Sequence, residues 1–124
     1  MQNIAMHSVT PVLRIFDVDR AKAFYLNFLE FQLDWEDRSE GSPAYMQISF
    51  AGNCPIHLSE HHGDGCPGAN LRIEINDAAE YQRRLIGKAY KYFRPGLEKA
   101  PWGDWEVSVT DPFGNRLTFF QRSS

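Results

Sequence analysis

Val9-Thr-Pro-Val-Leu-Arg-Ile-Phe-Asp17 and Asn70-Leu-Arg-Ile-Glu-Ile-Asn-Asp77 carry one pattern twice: a β-branched run that ends on an aspartate able to cap a helix. Leu13-Arg14-Ile15 recurs as Leu71-Arg72-Ile73, 58 positions later, and Gly52-Asn53 recurs as Gly114-Asn115. Matches this short are weak alone. The stronger signal is the repeated order of elements around them. After Asp17, the residues Val18, Ala21, Tyr25, Phe28 and Leu29 fall at helical spacing and predict about three turns. Phe31, Leu33 and Trp35 alternate with Gln32, Asp34 and Glu36 as a half-buried strand. Tyr45 to Phe50 alternates again, Ala51-Gly-Asn53 reads as a tight turn, and Ile56 to Ser59 as a short strand.

The second half follows the same plan. Asn76-Asp77 caps a helix lined by Ala78, Tyr81, Leu85 and Ile86. Tyr90 to Arg94 reads as a strand and Pro95 to Gly103 as a loop. Trp105 to Thr110 is a strand, Asp111-Pro-Phe-Gly-Asn115 a turn, and Arg116 to Gln121 the last strand. The expected class is α+β: two β-α-β-β-β modules, about 8–60 and 69–122, in one domain spanning 1–124, joined by the polar, glycine-rich linker 61–68. Each sheet buries one face on its helix. The remaining faces form a curved cup of mixed sheets, a natural small-molecule site.

Composition excludes several classes. Lys plus Arg is 13 against 16 Asp plus Glu, so the basic footprint of a nucleic-acid binder is absent. An apolar fraction of 43% argues against disorder. No run approaches the roughly 18 apolar residues of a membrane span. Met1 to Val9 is too short and polar for a secretory signal, and two cysteines make no disulfide framework. A soluble, cytoplasmic protein is the expectation. There is no phosphate loop and no nucleophile elbow. Nine Phe, five Tyr and three Trp suit a flat organic ligand.

Pro11-Val-Leu13 with Asp17, Ala23-Phe-Tyr25, and above all Pro101-Trp-Gly103 with Asp111-Pro-Phe-Gly-Asn115 resemble the vicinal oxygen chelate superfamily. That superfamily holds glyoxalase I, extradiol dioxygenases, fosfomycin-resistance enzymes and the bleomycin-resistance proteins, and the last of these is the branch this chain resembles most. The resemblance implies a homodimer whose sites are built across two chains. It also implies four metal-ligand positions, which fall here at Thr10, Asn70, Thr118 and a place near His57 to Glu60. Threonine and asparagine are not usual ligands for zinc, nickel, manganese or iron. The departure argues against metal-dependent enzyme activity and against a cofactor. It agrees with the branch that binds a drug without catalysis. Two alternatives remain: a glyoxalase-like lyase or dioxygenase with relocated ligands, for which His57 and Glu60 would be the metal candidates, and a degenerate domain that binds another metabolite.

For the binding reading, Trp102 is the first candidate, since an exposed loop tryptophan offers a stacking wall. Asp104 and Glu106 flank it. Asp34 and Glu36, with Asp37 and Glu40, would make an acidic rim for a cationic ligand. Trp35 is a further candidate, although alternation suggests that Trp35 and Trp105 belong to the core. Strand phase adds Phe120 and Arg72 to the cup face, along with Arg14, Glu74 and Arg116. Inward charges need partners, and Arg72–Glu74 or Arg14–Glu74 pairs would supply them. The cluster His57, Glu60, His61, His62, Asp64 and Cys66 reads as a polar connecting loop.

Overall fold

The repeat in the sequence becomes a repeat of sheets. The computed structural model describes residues 3–90 and 94–123. Its first half contains β1 (Val12–Arg14), α1 (Val18–Lys22), a wider helical continuation (Ala23–Phe28), β2 (Gln32–Asp37), β3 (Tyr45–Phe50) and β4 (Asn53–Ser59). The second contains β5 (Asn70–Glu74), α2 (Ala78–Gly87), β6 (Leu97–Lys99), β7 (Trp105–Thr110) and β8 (Arg116–Gln121). The sheet orders are β1-β4-β3-β2 and β5-β8-β7-β6. In each sheet the first strand runs parallel to the last and the other neighbours are antiparallel. No helix among the described residues is long and apolar enough to cross a membrane.

Both aspartates cap their helices: Asp17 accepts from the Arg20 N–H at 2.9 Å and Asp77 from the Glu80 N–H at 3.0 Å. The first helix widens after Lys22, with the Leu29 N–H reaching back to the Phe24 carbonyl. Phe24, Tyr25 and Phe28 in that segment are buried. The two halves share one core, in which Leu13, Ile48 and Leu58 of the first meet a cluster continuous with Leu85, Val107 and Leu117 of the second. Each such side chain contributes about 1.5–3 kcal/mol by leaving water.

Polar bonds tie the halves together. The Tyr25 hydroxyl donates to Asp111 Oδ2 at 2.6 Å, the Asn115 amide donates to the Arg14 carbonyl at 2.9 Å, and the Tyr81 hydroxyl donates to the Leu29 carbonyl at 2.8 Å. Burial first, then the negative charge of Asp111, holds the Tyr25 hydroxyl well above the usual phenol range, so it remains a donor. The connecting segment 61–68 is pinned as well: Arg14 donates to the His61 carbonyl at 2.7 Å and the Ser59 hydroxyl to Asp64 at 2.8 Å.

Several expected boundaries move. The strand expected over 9–16 is confined to Val12–Arg14, with Thr10 exposed outside it. β4 begins at Asn53, three positions earlier than the pattern suggested. The strand expected over 90–94 falls largely on residues 91–93, outside the described residues. β6 occupies part of the expected 95–103 loop; its Leu97–Lys99 run is too short to show alternation and is held by pairing with β7. β2 contains a bulge between Leu33 and Trp35, which changes which side chains share a face.

Candidate functional site

Each sheet turns one face to the core and leaves the other open. On the first sheet, register groups the open-face residues. Trp35 lies opposite Gln47, Gln47 opposite His57, and His57 beside Val12; Asp37, Tyr45, Ser59 and Arg14 form the next row. A hydrogen-bonded chain crosses this face. Gln47 Nε2 donates to Asp34 Oδ2 at 3.1 Å, so the amide oxygen of Gln47 is the acceptor for His57 Nε2 at 2.9 Å. With the Nε2 proton directed at Gln47, Nδ1 accepts from the Tyr45 hydroxyl at 2.8 Å. Ser49 donates to the other oxygen of Asp34 at 3.0 Å. Trp35 covers the chain, stacked on Tyr45 with centroids 6.0 Å apart and planes within 11°, and edge-on to His57 at 5.3 Å. Burial, with a contribution from the charge of Asp64, raises the Tyr45 hydroxyl above the ordinary phenol value.

On the second sheet the open face carries Arg72, Thr118 and Ser108 in one row, and Glu74, Phe120 and Glu106 in the next. Arg72 pairs with Glu106 at 3.0 Å, and its guanidinium lies 4.5 Å from the Phe120 ring centre and 5.9 Å from that of Trp102. Trp102 is 62% exposed, yet its indole N–H donates to Asp104 at 3.0 Å. The sequence candidates Arg72, Trp102, Asp104, Glu106 and Phe120 therefore lie together on the second sheet and its hairpin, while Trp35 and Asp34 lie together on the first.

Glu36 joins neither group. The bulge turns it to the helix side of β2, opposite Met46, where Lys22 holds it at 2.7 Å. The same bulge brings Trp35 out of its expected core place, to 44% exposed. Trp105 is 40% exposed at the end of β7, beside the Lys99 ammonium at 5.8 Å. The expected inward ion pairs are also replaced: Glu74 is held by Arg122 at 2.8 Å, Arg72 by Glu106, and Arg14 by a carbonyl. Tyr45, Gln47 and Ser49 share this open face and its hydrogen-bonded chain but are not among the sequence candidates. Their polar alternation with Met46, Ile48 and Phe50 was the available signal.

The donor set does not fit a transition metal. Thr118 is hydrogen-bonded to Ser108 at 2.9 Å, both nitrogens of His57 are engaged, and Glu60 accepts from the Ala44 N–H at 3.0 Å. No group of three or more His, Cys, Asp or Glu converges on a metal-sized point among the described residues.

Known structures share this architecture. The antibiotic-binding protein TnmS3 from a Streptomyces species superposes with a TM-score of 0.78 at 21% identity, over 98% of this chain and 100% of its own. A bleomycin-binding protein, in complex with bleomycin, gives 0.71 at 23% identity over 95% of this chain and 100% of its own. A member of the glyoxalase/bleomycin resistance protein/dioxygenase superfamily from Sphaerobacter thermophilus gives 0.75 at 18% identity, over 95% and 98%. At these identities the likeness establishes the fold. No curated protein matches the sequence. A family model described as glyoxalase superfamily protein matches residues 1–124, the whole chain, and with the twice-repeated sheet order this shows that the chain belongs to the glyoxalase superfamily.

Proposed function

We propose that the chain is a metal-free binding protein that sequesters a flat, aromatic, cationic antibiotic of the bleomycin type and performs no covalent chemistry on it. The observation that carries this reading is the matched pair of exposed tryptophans beside carboxylates: Trp35 with Asp34 on one open face, Trp102 with Asp104 on the other. Indole faces favour flat and cationic groups, and carboxylates steer and hold the positive end. Asp34 and Asp104 matter most for charge, because Glu106 and Glu74 are already matched by Arg72 and Arg122. The antibiotic-binding neighbours support the reading, and so does the poor fit of the donor set to a catalytic metal. With Cys54 and Cys66 both free, the cytoplasm is the proposed compartment.

The titration that tests this reading follows tryptophan fluorescence as bleomycin is added. Saturable quenching at micromolar drug is expected. A flat response up to several hundred micromolar would hand the protein to the degenerate-domain reading.

A complete cup needs both kinds of face. We propose a homodimer in which the first sheet of one chain faces the second sheet of its partner, so that Trp35 and Trp102 from different chains flank one ligand. Open sheet faces and edges are a liability in a lone chain. Sedimentation at micromolar concentration should give about twice the 14.3 kDa chain mass; a monomer at all concentrations would refute the shared site.

A further inference from the structure

The open face of the second sheet changes in charge along its strands. Register sets three rows on it: Glu74, Phe120 and Glu106; then Arg72, Thr118 and Ser108; then Asn70, Arg116 and Thr110. Glu98, opposite Glu106, adds an exposed carboxylate to the first row. The Trp102–Asp104 loop leads into β7 and lies at this acidic end. Glu106 and Thr110 are four positions apart on one strand, so the outer rows are separated by about 13 Å. None of the six residues in the second and third rows is acidic.

Most charges on this face are matched within it: Arg72 by Glu106 at 3.0 Å and Glu74 by Arg122 at 2.8 Å. Arg116 is not. Its side chain reaches the Ser108 hydroxyl at 3.5 Å, the outer limit of a hydrogen bond, and no carboxylate pairs with it among the described residues. Asp111, nearby in sequence, is buried and spends its oxygens on Tyr25, Phe113 and Asn115. A guanidinium has five N–H donors, so Arg116 has most of them to spare. Arg72, one row away on the adjacent strand, uses one nitrogen on Glu106 and lies over the Phe120 ring at 4.5 Å. The Ser108 and Thr118 hydroxyls beside both arginines bond to each other at 2.9 Å. That bond uses one of their two protons and leaves one donor over. Donors thus exceed acceptors at this end, and the net charge is positive. Asn70 and Thr118, two of the positions where the resemblance puts metal ligands, belong to these rows, and the cation beside them is a guanidinium.

We propose that this end of the open face is an oxyanion subsite, in which Arg116, with Arg72 and the Ser108–Thr118 hydroxyl pair, takes a carboxylate of the ligand. A planar carboxylate matches the guanidinium fork at two oxygens. The inference deepens the binding-protein reading and rests on the open face being the ligand site. It makes the ligand dipolar: rings against Trp102 and Phe120, cation at the carboxylate end of the face, acid at the Arg116 end.

The probe is biphenyl-4-carboxylate, compared by calorimetry with the neutral biphenyl-4-carboxamide. The acid should bind at least about tenfold more tightly, a difference of about 1.4 kcal/mol. Arg116→Gln should bring the acid to within about twofold of the amide, and Arg116→Lys, which keeps the charge and loses the fork, should fall between. Arg20→Gln, on α1 and away from this face, makes the same change in net charge and should leave the difference as in the parent. Circular dichroism checks that each variant is folded. Equal binding of acid and amide by the parent, a difference that survives Arg116→Gln, or one that Arg20→Gln also removes would each overturn the proposal. Bleomycin quenching of the same proteins separates the two readings. If the drug binds and the acid has no advantage, the subsite fails alone; if the acid has its Arg116-dependent advantage and the drug does not bind, the subsite stands and the antibiotic reading falls.

Discussion

Replacing Asp111 with Ala should lower the thermal midpoint by about 10–20 °C, the largest loss expected for one polar side chain in this protein. Asp111 is 4% exposed. Its Oδ1 accepts from the Phe113 and Asn115 N–H groups, both at 2.8 Å, and its Oδ2 from the Tyr25 hydroxyl at 2.6 Å and the Asn115 amide at 2.9 Å. Removing it strands a hydroxyl on a fully buried tyrosine and frees the turn that packs on β1 and the first helix. Hydrogen bonds to a charged group are worth about 1.5–3 kcal/mol, and an orphaned buried donor costs about 1–3 kcal/mol. These losses overlap, so a total of about 3–5 kcal/mol is expected, and each kcal/mol lowers the midpoint by about 3–5 °C at this chain length. Tyr25→Phe removes one partner and should cost about a third as much. Asp37→Ala, at an exposed position, should change stability by less than about 0.5 kcal/mol. Calorimetry on the three variants checks the order. If Asp111→Ala melts with the parent, the turn is not what locks the two halves.

That result would also explain why the Asp-Pro-Phe-Gly-Asn stretch is so legible. Each residue with a special role there has its own requirement: Asp111 to gather donors, Gly114 to take φ of 96°, and Asn115 to reach the other half of the chain. The strand and helix repeat was legible for a related reason. Periodicity records which face is buried, and both aspartate caps sit where the pattern put them. The open faces were harder to read. On β2, strict alternation groups Leu33 with Trp35 and sets Asp34 with Glu36. One extra residue in the bulge breaks that grouping: Leu33 pairs with Ile48 toward the core, while Trp35 pairs with Gln47 on the open face. Nothing in the local composition announces the bulge, because it is set by pairing with a strand ten or more residues away. This single irregularity turns Glu36 to the core side and Trp35 to the open face.

The β3 residues show a different limit. Tyr45, Gln47 and Ser49 are visible as the polar phase of an alternating strand. Their connection through His57 to Asp34 depends on three strands meeting in register. A histidine followed closely by Glu60, His61 and His62 invites a metal reading. In the fold, one neighbour of His57 is a phenol and the other an amide. The imidazole is thus part of a hydrogen-bonded floor beneath Trp35.

The second large effect is expected at Trp102. Its loop is built before any ligand arrives: Ala100 and Gly103 close a turn at 2.8 Å, and the Ala100 N–H donates to the Asp104 carbonyl at 2.7 Å. Gly103 has φ of 105°, and a Cβ there would meet Ser123 Oγ at 3.1 Å, so glycine is required twice over. Asp104 holds the indole N–H with one oxygen and the Ser123 N–H with the other. A pre-set aromatic surface binds with little ordering cost. Arg72 approaches the ring at 5.9 Å from within its own sheet, so the positive end of a ligand belongs near Asp104 or Asp34, away from that guanidinium. Stacking and cation–π contact at such a ring are worth about 1–2 kcal/mol. Trp102→Ala should therefore weaken bleomycin binding by about 5- to 30-fold, with stability within about 0.5 kcal/mol of the parent because so little of the side chain is buried. Trp102→Phe should recover part of the affinity. Asp104→Asn, which keeps an acceptor for the indole, should lose the salt-sensitive share alone. Should Trp102→Ala bind the drug as tightly as the parent, while the parent does bind, stacking at this loop is excluded and the affinity must come from the Trp35 face.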